Sequence, residues 1–417
     1  MDQENKNMKW DTTKIVLAIT AGVAVLALVG LLVWMVMSGM ITVNIGKRED
    51  ATPDDTSLSY TVTDEAAAEA NGNIVAEVGD RELSNGQLQI HYWTQIYTFV
   101  SNYGTYLSYF GVDFTKLLGE QTCTLMEDGS TWEEFFLEQA LDSWGQMATI
   151  AQMAEQNGFT LTEGQLKNQT EMVENLETSA VAYGYESLAE MVAEEMGKGA
   201  TAEDYIAYVK LDYFCSAYVS YLREKNLPTD AQIEEYYAAN EATVKSNGYG
   251  KDAGKVVDVR HILIKPEGGV LNSDGRTYTY TDAQWEAARQ KAQVVYDLWL
   301  NGDKNETSFA ELAKKNSADG SAADGGLITD IAKGNTVTEF NDWIFADGRA
   351  YGNHALIKTV FGYHIMFYVA TEDAWIRYCR ANYANDIVTT QMEQFSKNYV
   401  LKTEYDQIAI GNVDLAG

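Results

Sequence analysis

The sequence predicts an α+β protein on three observations. Long stretches from residue 132 to 242 repeat apolar side chains at helical spacing, short runs such as Ile74–Val78 and 256–264 alternate with period two, and Gly or Pro separates the runs. The mixture of a long helical block with a later strand-bearing block is the pattern of segregated helices and sheet.

Each element follows in chain order. Residues 1–14 read as a short tail carrying Lys6, Lys9 and Lys14. No charged side chain lies between Lys14 and Lys47, and residues 15–37 are almost wholly apolar, longer than the roughly 20 residues a bilayer core needs. This segment is expected to span a membrane. Its length and the poor cleavage site around Ser38 and Gly39 argue against a removable signal peptide. Residues 38–73 are expected to be a flexible linker, because from Gly46 onward they are polar and acidic without an apolar period. Strand 74–78 leads through a Gly-Asp turn to a helix capped near Ser84. Helices are then expected at 132–157, 162–183, 187–196, 202–225 and 229–242, with breaks at Gly158, Gly184, Gly197 and Pro228.

Composition narrows the function. A chain of 417 residues with 46% apolar side chains supports two or three cores. Its net charge of -31 and pI near 4.4 exclude a nucleic-acid partner, which would need clustered Lys and Arg. Cys123, Cys215 and Cys379 are odd in number, widely spaced and without CxxC, so no disulfide framework or metal site is expected, and buried thiols are the plain reading. The sequence has no GxxxxGK[ST], HExxH or GxSxG, and no cofactor is expected.

Eight rings, Tyr92, Trp93, Tyr97, Phe99, Tyr103, Tyr106, Tyr109 and Phe110, crowd one helical stretch at spacings that reach more than one face. Two readings stand: ordinary core, or an exposed groove for unfolded chains. Farther along, period two puts Val257, Val259, His261 and Leu263 on one strand face, and Gly362, His364, Met366 and Tyr368 on one face of another. Either histidine alone would be a satisfied core residue.

Taken together, VDVRHILIK, FAELAKKNSADGSAADGG and KTVFGYHIMFYV resemble the parvulin family of peptidyl-prolyl cis/trans isomerases. The resemblance implies a domain over 256–370 with a four-stranded antiparallel sheet and helices starting near Asp282 and Ser308. It also implies a catalytic set of His261, Asp319, Thr359 and His364, in which Asp319 faces the twisting carbonyl and the histidines fix each other's tautomer. Phe340 of TEFNDWIF would wall the proline ring, Ile328 would pack beside it, and Thr336 stands where the family has a pocket methionine. GGLITDIAKGNT departs from the family's GGDLGWFGRGQM, lacking both aromatics and that methionine. The loop KPEGGVLNSDGRTYTYTDAQ has only Lys265 and Arg276 as cations, which argues against dependence on phosphorylated substrates.

VAEVGDRELS and LPTDAQIEEYYAAN further resemble the phrases that open and close the chaperone domain of SurA-like and PrsA-like foldases. That implies a helical chaperone domain over 74–250, completed by residues 371–417, whose helix 373–399 would return to pack on it. The implied protein is a single-pass membrane protein with a cytoplasmic amino terminus and an extracytoplasmic body. It would turn X-Pro bonds of unfolded, newly secreted clients. Two rivals remain: a weak or inactive holdase that only binds clients, and an anchored structural partner of an envelope complex.

Overall fold

The computed structural model describes residues 60–126, 128–273 and 278–413. The expected membrane span at 15–37, the tail before it and most of the linker lie outside these residues. Among the described residues no helix is long and apolar enough to cross a membrane. The chain divides into two compact units, one formed by 60–226 with 386–413 and the other by Leu227–Asn385.

The first unit is mainly helical. Its main helices are Asn85–Tyr103, Trp132–Gln156, Glu163–Ala182, Leu188–Glu195 and Ala202–Lys225. Reciprocal capping boxes start three of them, pairing Thr131 with Glu134, Thr162 with Gln165 and Thr201 with Asp204. Ser84 caps the first by accepting from Gln87 N–H at 3.2 Å. An antiparallel sheet in the order Leu401–Thr403, Ile74–Val78, Arg81–Ser84 completes the unit. The aromatic run is mostly core: Tyr92, Trp93, Tyr97 and Phe99 are buried, and Phe99 packs with Trp132 and Phe136 at centroid distances of 5.5 Å. Only Tyr106 and Tyr109 of the eight stand exposed, at 58% and 85%, and Phe99 and Tyr103 line a small pocket with Phe135 and Phe136. All three cysteines are buried and free.

The end of the expected linker is ordered. Thr61–Val62 pairs in parallel with Ala409–Ile410, and a capped helix, Asp64–Glu69, buries Ala67. The partner strand is some 350 residues away in sequence, beyond the reach of local periodicity.

The second unit holds a four-stranded antiparallel sheet, as expected. Its strands are β1 (Lys255–Ile264), β2 (Leu327–Ala332), β3 (His354–Thr359) and β4 (Gly362–Asp373), in spatial order β2-β1-β4-β3. Five helices frame it: α1 (Asp230–Ser246), α2 (Asp282–Leu300), α3 (Glu306–Asn316), α4 (Thr338–Ile344) and α5 (Ala374–Ser396), which runs on into the first unit. α1, which the sequence groups with the helical region, belongs here; Tyr237 meets Trp375 edge-on at 5.2 Å. It also runs four residues past the expected 242, through a kink at Asn240. α3 begins at Glu306 rather than Ser308, because Asn305 supplies the cap.

Strand alternation separates two cores. Ile262, Ile264, Ile365 and Phe367 pack against Val295 and Trp299 of α2 and Phe309 of α3. Val257, Val259, Met366 and Tyr368 face the other way, onto Ile331 of β2 and Phe340 and Ile344 of α4. Each large side chain so buried contributes about 1.5–3 kcal/mol. Both histidines of interest share the second face, because Phe340 lies edge-on to each.

Candidate functional site

β1 and β4 are hydrogen-bonded neighbours, and their register pairs His261 with Met366 and Leu263 with His364. Two side chains pointing to the same face from adjacent strands, two residues apart in register, are diagonal neighbours. His261 Nδ1 lies 3.0 Å from His364 Nδ1, with the rings nearly parallel at 12° and 5.2 Å between centroids. Both imidazoles are buried. Thr359 at the end of β3 places Oγ1 2.8 Å from His364 Nε2 and accepts from Phe361 N–H at 3.1 Å.

Asp319 stands at the other end of this row. It caps the turn Gly320–Asp324, its Oδ1 accepting from Ser321 N–H at 2.9 Å and Ser321 Oγ–H at 2.6 Å. The same oxygen also lies 3.1 Å from His261 Nε2. That approach is off the axis of a good hydrogen bond. The Asp319 side chain is about one-third exposed, leaving the carboxylate at the mouth of the site.

The loop is fastened to β1 by the backbone. His261 N–H donates to Gly326 O, Ala318 N–H to Leu263 O, both at 2.8 Å, and Leu263 N–H to Ser317 Oγ at 3.0 Å. Gly326 is needed here: φ is +73°, and a Cβ would come within 2.1 Å of His261 O. Sequence reasoning missed Ser317 and Ser321. Their signal is the Ser-x-Asp-x-Ser spacing, since short polar side chains two residues apart close such turns on themselves.

Electrostatics give the row a direction. The His261 ring and the two Ser321 donors hold the Asp319 carboxyl well below the usual carboxylate range, against its partial burial. An anion at that position requires the proton of His261 on Nε2. With one proton on each ring, His261 Nδ1 then accepts from His364 Nδ1–H, and His364 Nε2 accepts from the Thr359 hydroxyl. Burial lowers the His364 pKa to about 3, with the His261 ring adding to the shift and Asp319 opposing it.

Phe340 presents its ring edge-on to both imidazoles, at 5.4 and 5.6 Å. Ile328 is half-buried in the same cluster and pairs with Val259. Thr336 precedes α4, half-buried, with its hydroxyl buried and without a hydrogen-bond partner. The structure thus brings His261, His364, Thr359, Asp319 and Phe340 into direct contact and places Ile328 beside them. No hydrogen bond ties the Thr336 side chain to the row. Among the described residues, no group of three or more His, Cys, Asp or Glu could hold a metal ion.

A four-stranded antiparallel sheet flanked by helices, with paired histidines at its centre, defines an α+β domain whose site offers hydrogen bonds and a dry wall. Residues 244–370 match the family model of the PPIC-type PPIase domain, so this part of the chain is a parvulin-type peptidyl-prolyl cis/trans isomerase domain. No curated protein matches the sequence. Among solved structures, PrsA from Bacillus subtilis is similar at 16% identity, over 67% of this chain and 93% of that one, with a TM-score of 0.33. Peptidyl-prolyl isomerase ESS1 from Candida albicans is similar at 25% identity, over 33% of this chain and 76% of that one, at 0.23. The structure described for PEB4 and Cj1289, SurA-like chaperones of Campylobacter jejuni, is similar at 17% identity, over 78% and 94%, at 0.21.

Proposed function

We propose that His261, Asp319, Thr359 and His364 form the catalytic row of this isomerase and that Phe340 and Ile328 seat the proline ring above it. The observation that carries the reading is the unbroken run of contacts from Asp319 through both imidazoles to Thr359, capped by Phe340. Rotation about an X-Pro bond makes and breaks no covalent bond. Its obstacle is amide resonance, with a barrier of about 18–20 kcal/mol for a peptide bond. At the half-rotated stage the nitrogen lone pair leaves conjugation, so a water-poor wall and a fixed field favour the twisted amide over the flat one. The buried histidines hold their tautomers and support the Asp319 loop, while the carboxylate at the mouth sets the field where the carbonyl turns.

The wider reading is a foldase. The apolar segment 15–37 would anchor the chain in a membrane with its body outside, the helical unit would hold unfolded secreted chains, and the isomerase domain would turn their X-Pro bonds. The length and composition of the apolar segment and the two chaperone-like phrases support it. A second reading, a holdase with little catalysis, draws support from Thr336, whose small polar side chain stands where the resemblance calls for an apolar one.

A protease-coupled proline-peptide assay on the full chain separates the two. Catalysis above the uncatalysed rate is expected, with Asp319→Ala and His364→Ala each lowering kcat/KM by about ten- to a hundredfold, one to two factors of the 1.4 kcal/mol that a decade of rate represents. Suppression of client aggregation with no catalysis would leave the holdase. Unchanged rates in both variants would remove the assigned row.

A further inference from the structure

The loop that carries Asp319 is held to β1 by more than its backbone bonds. Three consecutive carbonyls at its end, those of Asp324, Gly325 and Gly326, all accept from residues 260 and 261. His261 N–H takes the last of them. The Arg260 guanidinium takes the other two, its Nη1 donating to Asp324 O at 2.8 Å and to Gly325 O at 3.1 Å. Strand alternation sends Arg260 to the face opposite the His261 ring, the face on which Ile262 and Ile264 pack against α2 and α3. There Glu306, in the first turn of α3, accepts from Arg260 Nε at 2.9 Å. The Arg260 side chain is only 16% exposed, so these charge-assisted bonds are largely shielded from water. Gly325 leaves the guanidinium its room: at φ +67°, a Cβ there would come within 3.0 Å of Arg260 Nη1 and 2.6 Å of Ala310 Cβ.

We propose that Arg260 is a positioning residue for the isomerisation: backed by Glu306, its fork of donors fixes the turn that sets Asp319 against His261. It acts through Asp319 rather than on the substrate, and the inference rests on the isomerase reading of the row. The turn is closed on itself. Ser321 supplies both donors that orient the Asp319 carboxylate, and Ser321 O in turn accepts from Gly326 N–H at 2.8 Å. Gly325 N–H likewise donates to Ala322 O at 3.0 Å. The carbonyls that Arg260 holds and the donors that aim Asp319 thus belong to one unit, and shifting one end shifts the other. Lysine would keep the charge and lose the planar fork that reaches Glu306 and the carbonyls together.

The test is a cycle of variants in the full chain, assayed on one X-Pro peptide with rates taken per folded molecule from each variant's own unfolding curve. Arg260→Met is expected to lower kcat about tenfold while KM stays within about twofold. Arg260→Lys is expected to recover only part of that loss. In an Asp319→Ala background, Arg260→Met is expected to leave the remaining kcat unmoved, because the residue through which it acts is gone. A merely structural arginine would lower the melting temperature in both backgrounds and leave kcat per folded molecule alone in both. The proposal falls on that result, on an equal loss of kcat with and without Asp319, or on full recovery with lysine. If Arg260→Met melts below the assay temperature, Glu306→Ala takes its place, with a roughly threefold fall in kcat and the same dependence on Asp319 expected; an unchanged kcat then overturns the proposal. Should the wild type turn over no peptide, the isomerase reading fails separately. Hydrogen exchange then decides whether Arg260 fixes the turn: faster exchange at Gly325 and Gly326 N–H in the variant supports it, and wild-type protection there overturns it.

Discussion

His364 ties the site's chemistry to the stability of its unit. Its folded pKa of about 3 lies below the ordinary value of 6.5, so the unfolded chain binds the proton more readily. The stability that the neutral ring contributes is complete above about pH 6.5 and is lost as the pH falls toward 3. Asp319, also depressed, adds stability present above the ordinary carboxylate value and lost lower still, so both groups weaken the unit in acid. Denaturant unfolding of the isomerase unit is therefore expected to show falling stability from pH 6.5 to 4, and His364→Asn to flatten that slope. An unchanged slope would mean that another group takes the proton. These two residues were readable in different ways. His364 follows from strand alternation, which placed it with Met366 and Tyr368, and the structure keeps that face. Asp319 follows only from resemblance, because its partner His261 is 58 residues upstream and turn chemistry alone explains an Asp in that loop. Ser321 holds Asp319 within the loop, which the Ser-x-Asp-x-Ser spacing could signal, whereas the role of Ser317 is fixed by Leu263 N–H on a strand that the loop's own sequence does not mention.

At the level of elements, the loop between α3 and β2 is what a short glycine run can build and other residues cannot. Gly326 has φ +73° and faces His261 O, whereas Gly320, six residues earlier, has open space around its missing Cβ. Gly326→Ala is expected to cost about 1–3 kcal/mol through backbone strain, with the clash adding to it, and to lower activity because Gly326 O accepts from His261 N–H. Gly320→Ala is the matched control, expected within about 0.5 kcal/mol of wild type. Thermal melts of the pair check this, and equal melting temperatures would show that the loop can back away from β1. Helices were the most legible elements, since Thr or Asn caps followed three residues later by a reciprocating side chain mark their starts, as at Thr131, Thr162, Thr201 and Thr281. Arg81–Ser84 was not read as a strand. Four residues carry little periodicity, and their strand character comes from pairing with Ile74–Val78.

At the scale of the whole molecule, residues 401–411 return to the first described strands of the first unit, and this is the part that sequence periodicity could least anticipate. Residues 401–403 form an edge of the first unit's sheet, and Ala409–Ile410 pairs with Thr61–Val62. The closure is polar as well as apolar. Buried Asn85 donates to Ala409 O at 2.8 Å and accepts from Ala409 N–H at 2.9 Å, while buried Gln89 donates to the same carbonyl and accepts from Gly411 N–H at 3.0 Å. Two amides enclosed at the start of a helix are thus satisfied only by backbone from the far end of the chain. Removing that end would leave them without partners, at about 1–3 kcal/mol each, and would strip Ile408 and Ile410 from the core. A chain ended after residue 400 is therefore expected to lose the cooperative unfolding of the helical unit. The isomerase unit, whose cores are built wholly from residues 227–385, should keep its own. Hydrogen exchange resolves the two. Exposure of amides in Asn85–Tyr103 with continued protection in β1 and β4 is the expected result, and protection of both would show that the far strand is dispensable to the first unit.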